Sequence, residues 1–400
     1  MTYDYTLFFT LLKKSFFNSV NTVARLKPKR IFFLFLFILV WIPYQIITWF
    51  FLGLDELFFP DYHQVEIKRP LFILGNYRSG STFLHRLFSK DRTLFTSMRT
   101  VDIFFMPSIT QKVILKSLSK IDIKLGGAFA KTIKKADDGS FGKVQIHKVS
   151  LFQPEEDENV LFHIWSTFFI VFLFPFLEEF DTFIAFDEKM PQEKQEKIMA
   201  FYKAAIQRHL YLDREADLAF ISKSPANSPK IKAINATFPD ARILYLARNP
   251  LDMLPSTISW LSYAWRQFND PPQKYIFQNQ TLKLAKYWYM YPLSVIDSSE
   301  NELMAIMNYD KLIHDPEEQI TQVFSQFGYD KSPGFKKILK KAAKETREYT
   351  SVHKYSYEEM GFTEDQIVNE FFGIFERFGF NRRGSASSEK LEEVSFTFEN

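Results

Sequence analysis

Leu71-Phe72-Ile73-Leu74-Gly75-Asn76-Tyr77-Arg78-Ser79-Gly80-Ser81-Thr82-Phe83-Leu84 is the stretch on which the fold turns. Leu71 to Leu74 is a short apolar run of the kind that forms a buried strand. It feeds into a glycine-flanked loop and then into the helical pattern Phe83 to Phe88. Strand, glycine loop and helix in that order make a phosphate cradle. Glycine lets the backbone curl, successive amides point inward, and the helix N-terminus adds positive potential. The Gly75-x4-Gly80 spacing is that of a Walker A loop, but Ser81 stands where Lys is expected and the cation has moved to Arg78. A nucleoside triphosphatase needs that Lys on the terminal phosphates. The loop therefore points to a different phosphate-bearing ligand.

Two more strand ends repeat the theme. Arg242 to Ala247 reads as a buried strand, followed by Arg248-Asn249-Pro250 and by Ser256 eight positions after Arg248. An Arg at a strand end, with a Ser one or two helical turns later, can hold a second phosphate. Upstream, Phe220-Ile221-Ser222-Lys223-Ser224-Pro225 brings a Lys to a third strand end, and Ser228-Pro229 opens a helix. Three strand ends of this kind predict an α/β fold with a P-loop-like central parallel β-sheet flanked by helices.

With these motifs in place, the chain resembles the sulfotransferase family, which uses 3′-phosphoadenosine 5′-phosphosulfate. The family's 5′-phosphosulfate loop, PRSGTTFL, is similar to Tyr77-Arg78-Ser79-Gly80-Ser81-Thr82-Phe83-Leu84. Its 3′-phosphate motif resembles Arg248-Asn249-Pro250 with Ser256, and its Lys-Ser-Pro turn resembles Lys223-Ser224-Pro225. Tyr309-Asp310 looks like the strand end that contacts adenine, and Gln153 to Glu158 looks like a Pro-Glu-Glu-Asp-Glu run of bacterial members. His353 to Gly361 looks like the family's closing segment. The resemblance covers residues 70 to 380 and implies a bacterial-type enzyme that moves a sulfuryl group to a hydroxyl without a metal. It implies Ser79, Gly80, Ser81 and Thr82 on the 5′-phosphate, Arg78 and Lys223 at the leaving group, and Arg248 with Ser256 on the 3′-phosphate. Phe83 falls where cytosolic relatives stack a Trp on adenine.

The general base is where the chain departs from the pattern. Positions that carry a base His in relatives are Pro225 and Asn227 here. An acceptor hydroxyl still needs a proton acceptor. Asp102, His147 and the acidic run Glu155 to Glu158 are the candidates, and the sequence leaves the three open.

Composition narrows the class. Of 400 residues, 50 are Lys or Arg and 47 Asp or Glu, a net charge of +3 that argues against a nucleic-acid partner. There is no Cys, which excludes disulfides, thiolate metal sites and a Cys nucleophile. Seven His lack metal-ligand spacing. The 46 Phe, by contrast, signal an apolar environment.

Residues 31–54 carry no charge, and as a helix would measure about 36 Å, enough to cross a hydrocarbon core of about 30 Å. Arg25, Lys27, Lys29 and Arg30 precede it and Asp55, Glu56 and Asp61 follow, so charge bias predicts a type II orientation. Pro43 allows a broken helix that dips and returns, and Tyr5 to Phe17 is amphipathic enough to lie on a membrane. A donor made in the bacterial cytoplasm, and the lack of Cys, favour a catalytic domain facing the cytoplasm. The expected organisation is a basic amphipathic segment 1–30, a hydrophobic membrane-associated helix 31–54, a catalytic domain 55–384 and a disordered tail 385–400. The resemblance implies that residues 96–190 shape the acceptor site. A second apolar run, Val160 to Leu177, lies between Arg78 and Arg248. Those two must meet on one nucleotide, so it is core or a surface dip, not a lone span. Its aromatic residues suit a hydroxylated, lipid-linked acceptor. The rival readings are a P-loop kinase or hydrolase, and a non-catalytic nucleotide-binding relative.

Overall fold

A computed structural model describes residues 3–140, 150–271, 273–347 and 357–382. The chain opens with α1 (Tyr5–Phe17) and α2 (Pro28–Phe58), and then enters the sheet at β1 (Leu71–Gly75), followed by α3 (Ser81–Phe88) and β2 (Phe95–Thr96). A long excursion holds α4 (Ile109–Lys124), α5 (Ala128–Ser140), α6 (Asp181–Ile184), α7 (Phe186–Lys189) and α8 (Gln192–Leu210). Then come β3 (Ala219–Lys223), α9 (Ile231–Thr237), β4 (Arg242–Ala247), α10 (Pro250–Phe268), α11 (Gln278–Asp297) and β5 (Met304–Asn308). The helices α12 (Tyr309–His314), α13 (Pro316–Phe327), α14 (Pro333–Arg347), α15 (Glu364–Glu370) and α16 (Phe372–Phe378) follow.

The five strands form one parallel sheet in the order β2-β3-β1-β4-β5. Parallel sheets are covered on both faces, which is why β1 and β3 are buried along their whole length. Side chains alternate between faces: Phe72, Leu74, Ile243 and Tyr245 enter the larger core, while Leu71, Ile73, Leu244 and Leu246 enter the smaller one against α3, α13 and α14. From β1 the chain moves to one side of the sheet, and from β4 to the other. The crevice at such a reversal, outside the carboxyl ends of adjacent strands, is where α/β sheets bind ligands. Arg78 and Arg248 stand there.

The expected P-loop-like parallel sheet is present. The Val160 to Leu177 run is core: it coils in short 3-10 turns, and Val160, Ile164, Trp165, Ile170 and Phe174 are buried. Pro43 breaks nothing, because α2 runs as one helix from Pro28 to Phe58. Proline removes a hydrogen bond from a helix interior, and here neighbouring contacts hold the helix across it. Nor is α2 separate from the catalytic domain. Its buried positions Leu34, Phe37, Gln45, Thr48, Leu52 and Asp55 fall on one stripe. Arg30 at one end donates to the Leu173 carbonyl at 2.7 Å and to Ser15 Oγ at 3.1 Å. Asp55 near the other accepts from the Ser108 hydroxyl and from the Ile109 and Thr110 amides at 2.8–2.9 Å, and pairs with Arg208 at 3.2 Å. Among the described residues α2 is the one helix long and apolar enough to cross a bilayer, and most of that apolar length faces outward. The expected tail, residues 385–400, lies outside the described residues.

Candidate active site

The loop after β1 is shaped by two glycines. Gly75, at φ +145°, sits so close to the Leu246 carbonyl and Ser79 that a Cβ would come within 2.7 Å and 2.8 Å of them. Gly80, at φ +91°, caps α3 and has the ring of Tyr309 where a Cβ would be. Ser228 pins the loop to the turn after β3: its hydroxyl donates to the Gly75 carbonyl at 3.0 Å and accepts the Gly75 amide at 3.1 Å. Arg78 itself takes the left-handed conformation, φ +60°, a strained choice for a residue with a Cβ.

The two phosphate motifs touch. Arg78 Nε donates to Ser256 Oγ at 3.1 Å, and Arg248 donates to the Arg78 carbonyl at 2.9 Å. The Arg248 guanidinium lies 4.4 Å from the centre of the Tyr309 ring, and Tyr309 and Phe83 each pack against the smaller core. Asn249 caps α10 through the Leu251 amide, with Pro250 at the first helical position, so the same tripeptide that places Arg248 starts the next helix.

Lys223 closes the third side. Only 2% exposed, it pairs with Glu156 at 2.6 Å, while its amide donates to Asp157 at 2.9 Å. Beneath it lies a layer of buried polar groups. Asp157 accepts from the Tyr202 hydroxyl, and Tyr202 and Asn227 both reach Ser222 Oγ, at 3.0 and 3.2 Å. Glu158 pairs with Lys230 at 2.5 Å and accepts from Thr167 at 2.6 Å. Burial pushes the carboxyls of Asp157 and Glu158 up, with those partners pulling the other way.

These elements enclose a cavity of about 420 Å³, lined at one end by Arg78, Ser81, Thr82 and Arg248 and at the other by Phe104, Phe162, Phe169, Phe172 and Trp260. Glu155, Glu156 and Thr100 lie along it. The volume is that of a typical small-molecule site. Two lining residues carry buried polar atoms with no protein partner, Thr100 Oγ1 and Arg248 Nε, as do Ser79 in the loop after β1 and Ser224 in the turn after β3 through their Oγ. A buried polar group without a partner is costly, so these residues fit a polar, anionic ligand.

Ser79 to Thr82, Arg78, Arg248, Ser256 and Tyr309 are thus brought together. Asp102 is elsewhere. It sits in a single π-helical turn, Val101–Phe105, and does not line the cavity. Arg99 grips it through Nε at 2.7 Å, a terminal nitrogen at 3.1 Å and its own amide at 3.0 Å. Burial acts to raise its carboxyl, but Arg99, with Lys112 and His209 nearby, holds it down at about 2. Among the carboxylates considered, Glu155 and Glu156 are the ones on the cavity. His147 lies outside the described residues, as do the first residues of the closing segment. His85, behind the loop, is buried, and burial followed by the charge of Lys223 lowers it to about 3, so it is neutral at physiological pH. No group of three or more His, Asp or Glu that could hold a metal ion occurs among the described residues. The polar layer around Tyr202, Asn227 and Lys230 was not read from the sequence; its one visible signal was the acidic run 155–158.

The sequence model of the sulfotransferase family matches residues 70–333. The chain belongs to the sulfotransferase family. It is similar to omega-hydroxy-beta-dihydromenaquinone-9 sulfotransferase Stf3 of Mycobacterium bovis and of Mycobacterium tuberculosis, 22% identical over 332 residues, covering 78% of this chain and 76% of each relative. Among solved structures, sulfotransferase STF9 from Mycobacterium avium superposes with a TM-score of 0.66 at 15% identity, covering 95% of this chain and 98% of that one. Sulfotransferase STF1 from Mycobacterium tuberculosis gives 0.59 at 16% identity, covering 80% and 81%. Both share the fold. This sulfotransferase is therefore an enzyme of sulfuryl transfer on a P-loop-like parallel sheet.

Proposed function

We propose that this sulfotransferase takes a sulfuryl group from 3′-phosphoadenosine 5′-phosphosulfate and places it on the hydroxyl of a lipid-like acceptor. The observation that carries the donor is the contact between Arg78, Ser256 and Arg248 at the sheet's switch point. A nucleotide phosphorylated at both ends of its ribose has a partner for each phosphate there; an ATP-using kinase needs no such second pair. The donor would supply an activated sulfuryl group whose departure leaves negative charge on a phosphate oxygen. Ser79 to Thr82 would hold the 5′-phosphate through their amides, and Arg248 with Ser256 the 3′-phosphate. Arg78 and Lys223 would neutralise the developing charge, with Tyr309 and Phe83 beside the base.

For the proton, Glu156 has a claim that Asp102 lacks: it lies on the cavity and touches Lys223. We assign Glu156 as the group that receives the acceptor's hydroxyl proton, with Glu155 alongside. The aromatic end of the cavity would exclude water and hold an apolar chain. This suits an acceptor of the class named for the mycobacterial relative, an apolar molecule ending in a hydroxyl. The membrane association anticipated for α2 fits the same acceptor, with the catalytic domain on the cytoplasmic side.

Calorimetric titration of the full-length protein with 3′-phosphoadenosine 5′-phosphate, 5′-AMP and ATP tests the donor. Binding that needs the 3′-phosphate, and that weakens by about a hundredfold in Arg248→Ala, is the expected result. Preference for ATP would overturn the reading in favour of a kinase.

A further inference from the structure

The sequence leaves open whether residues 31–54 cross the bilayer or lie in it, and the way α2 docks bears on the choice. From Arg30 to Asp55 the helix spans about 37 Å, and the same domain holds it at both ends and in the middle. At the start, Lys27 pairs with Asp270 at 2.9 Å and Arg30 is buried against Leu173 and Ser15. In the middle, Tyr44 donates to the Phe104 carbonyl at 2.7 Å and Trp49 to the His163 carbonyl at 3.1 Å. At the end, Asp55 is buried against residues 108–110 and Arg208. For α2 to cross, Leu173 and Arg208 would have to lie on opposite sides of the membrane. The intervening domain, with its charged residues, would then sit in hydrocarbon.

The outward face of α2 is apolar along its length, with Phe32, Phe35, Leu39, Ile46 and Phe50 exposed. Neighbouring elements continue it. Beside the N-terminal half, α1 exposes Phe9, Phe16 and Phe17. Beside the C-terminal half, α4 exposes Ile114, Leu118 and Ile121, and Phe105 stands just before it. These apolar positions are interleaved with cations. Lys116, Lys120 and Lys124 repeat every four residues along exposed positions of α4, and Lys131, Lys134 and Lys135 follow on α5, with Asp122 the one acid from Ile109 to Lys135. Exposed apolar residues beside a lysine stripe are the chemistry of a helix lying on an anionic membrane.

We propose that α2 lies in the plane of one leaflet and that α4–α5 forms a second, basic contact, together making a monotopic docking surface for anionic phospholipid. This deepens the lipid-acceptor reading and rests on it for its purpose. Residues of α2 back directly onto the acceptor end of the cavity: Tyr44 holds Phe104, Arg30 holds Leu173, and the Trp41 ring is 6.3 Å from that of Phe162. An acceptor whose apolar chain stays in the leaflet thus meets the cavity beside α2, without leaving the lipid.

The absence of Cys makes the test direct. Full-length protein carrying Val20→Cys or Glu66→Cys, exposed positions on either side of α2, is added to preformed sealed vesicles of phosphatidylcholine with phosphatidylglycerol. It is then treated with a membrane-impermeant maleimide. Both positions react fully if α2 lies in the plane; protection of one shows a span and overturns the proposal. Flotation with the same vesicles is expected to fall by at least about tenfold in Lys116→Glu/Lys120→Glu/Lys124→Glu, and to fall likewise when phosphatidylglycerol is omitted. Leu118→Asn/Ile121→Asn provides a second variant of the same surface and should also weaken flotation. Flotation indifferent to both variants overturns the α4 contact, and a concentration-dependent dimer that fails to float assigns the apolar face to a second copy. Binding of 3′-phosphoadenosine 5′-phosphate on each sample checks folding. Its loss in the parent protein, with flotation intact, would count against the sulfotransferase site and not against the membrane surface.

Discussion

At the nucleotide end of the cavity, Arg78, Lys223, Arg248 and Tyr309 each sit at or within three residues of a strand end, and two glycines shape the loop. At the acceptor end, Phe104, Phe162, Phe172 and Trp260 arrive from separate segments, three of them short π or 3-10 turns. Buried carboxylates hold that end: Arg99 grips Asp102 in the turn that carries Phe104, and Lys230 grips Glu158 in the turns that carry Phe162. One end is thus set mainly by strand ends and a glycine loop, the other by ion pairs, one between residues three apart and one between residues 72 apart. The first should tolerate pH and neighbouring substitutions. The second should not.

Lys230→Met offers the strongest challenge to that contrast. It leaves Glu158 buried without its cation, and removing one partner of a buried pair costs about 3–5 kcal/mol. Chemical unfolding should show the loss, and Glu158→Gln/Lys230→Met should recover part of it. Next comes Glu156→Gln, with kcat expected to fall by about a thousandfold while affinity for 3′-phosphoadenosine 5′-phosphate changes little. Retained turnover would move the base elsewhere.

Asp102 probes the pH arm. Its folded pKa of about 2 lies below the ordinary 3.8, so its stabilising contribution is complete above about pH 4 and is lost as pH falls towards 2. Asp102→Asn should therefore cost up to about 2 kcal/mol at neutral pH and progressively less in acid, measured by urea unfolding across pH. A constant difference would show that Arg99 is not the cause. The smallest effect is that of Phe162→Ala on turnover: KM for a long-chain alcohol should rise by about tenfold, with a short-chain alcohol and the nucleotide unaffected. If nucleotide affinity falls as well, the two ends are not separable.

The same contrast explains what could be read in advance. The Gly75 to Thr82 loop, Lys223 and the Arg248/Ser256 pair carry their chemistry in short spacings, and the sheet follows from the strands that precede them. Asp102 illustrates the opposite case. Its carboxylate looked available because nothing in the sequence shows that Arg99, three residues earlier, turns back onto it. Tyr202 and Lys230 escaped notice because their carboxylate partners, Asp157 and Glu158, lie 45 and 72 residues away and meet them only once the turn after β3 is packed. The apolar runs showed no periodicity to separate core from membrane face. Burial of Val160 to Phe174, and exposure along α2, were decided by which surface each met.

The position of α2 in the chain also sets an order of events. The helix is complete at Phe58, yet Ser108, Leu173, Arg208 and Asp270, which it binds, are made much later. During synthesis its entire apolar length is without those partners, and the contacts that close over it are among the most distant in sequence, the slowest kind to form. The nascent chain therefore presents a greasy segment while the rest of the enzyme is still being translated. A hydrophobic helix thus leaves the ribosome before the strand ends and turns of the active site, which are assembled afterwards against it.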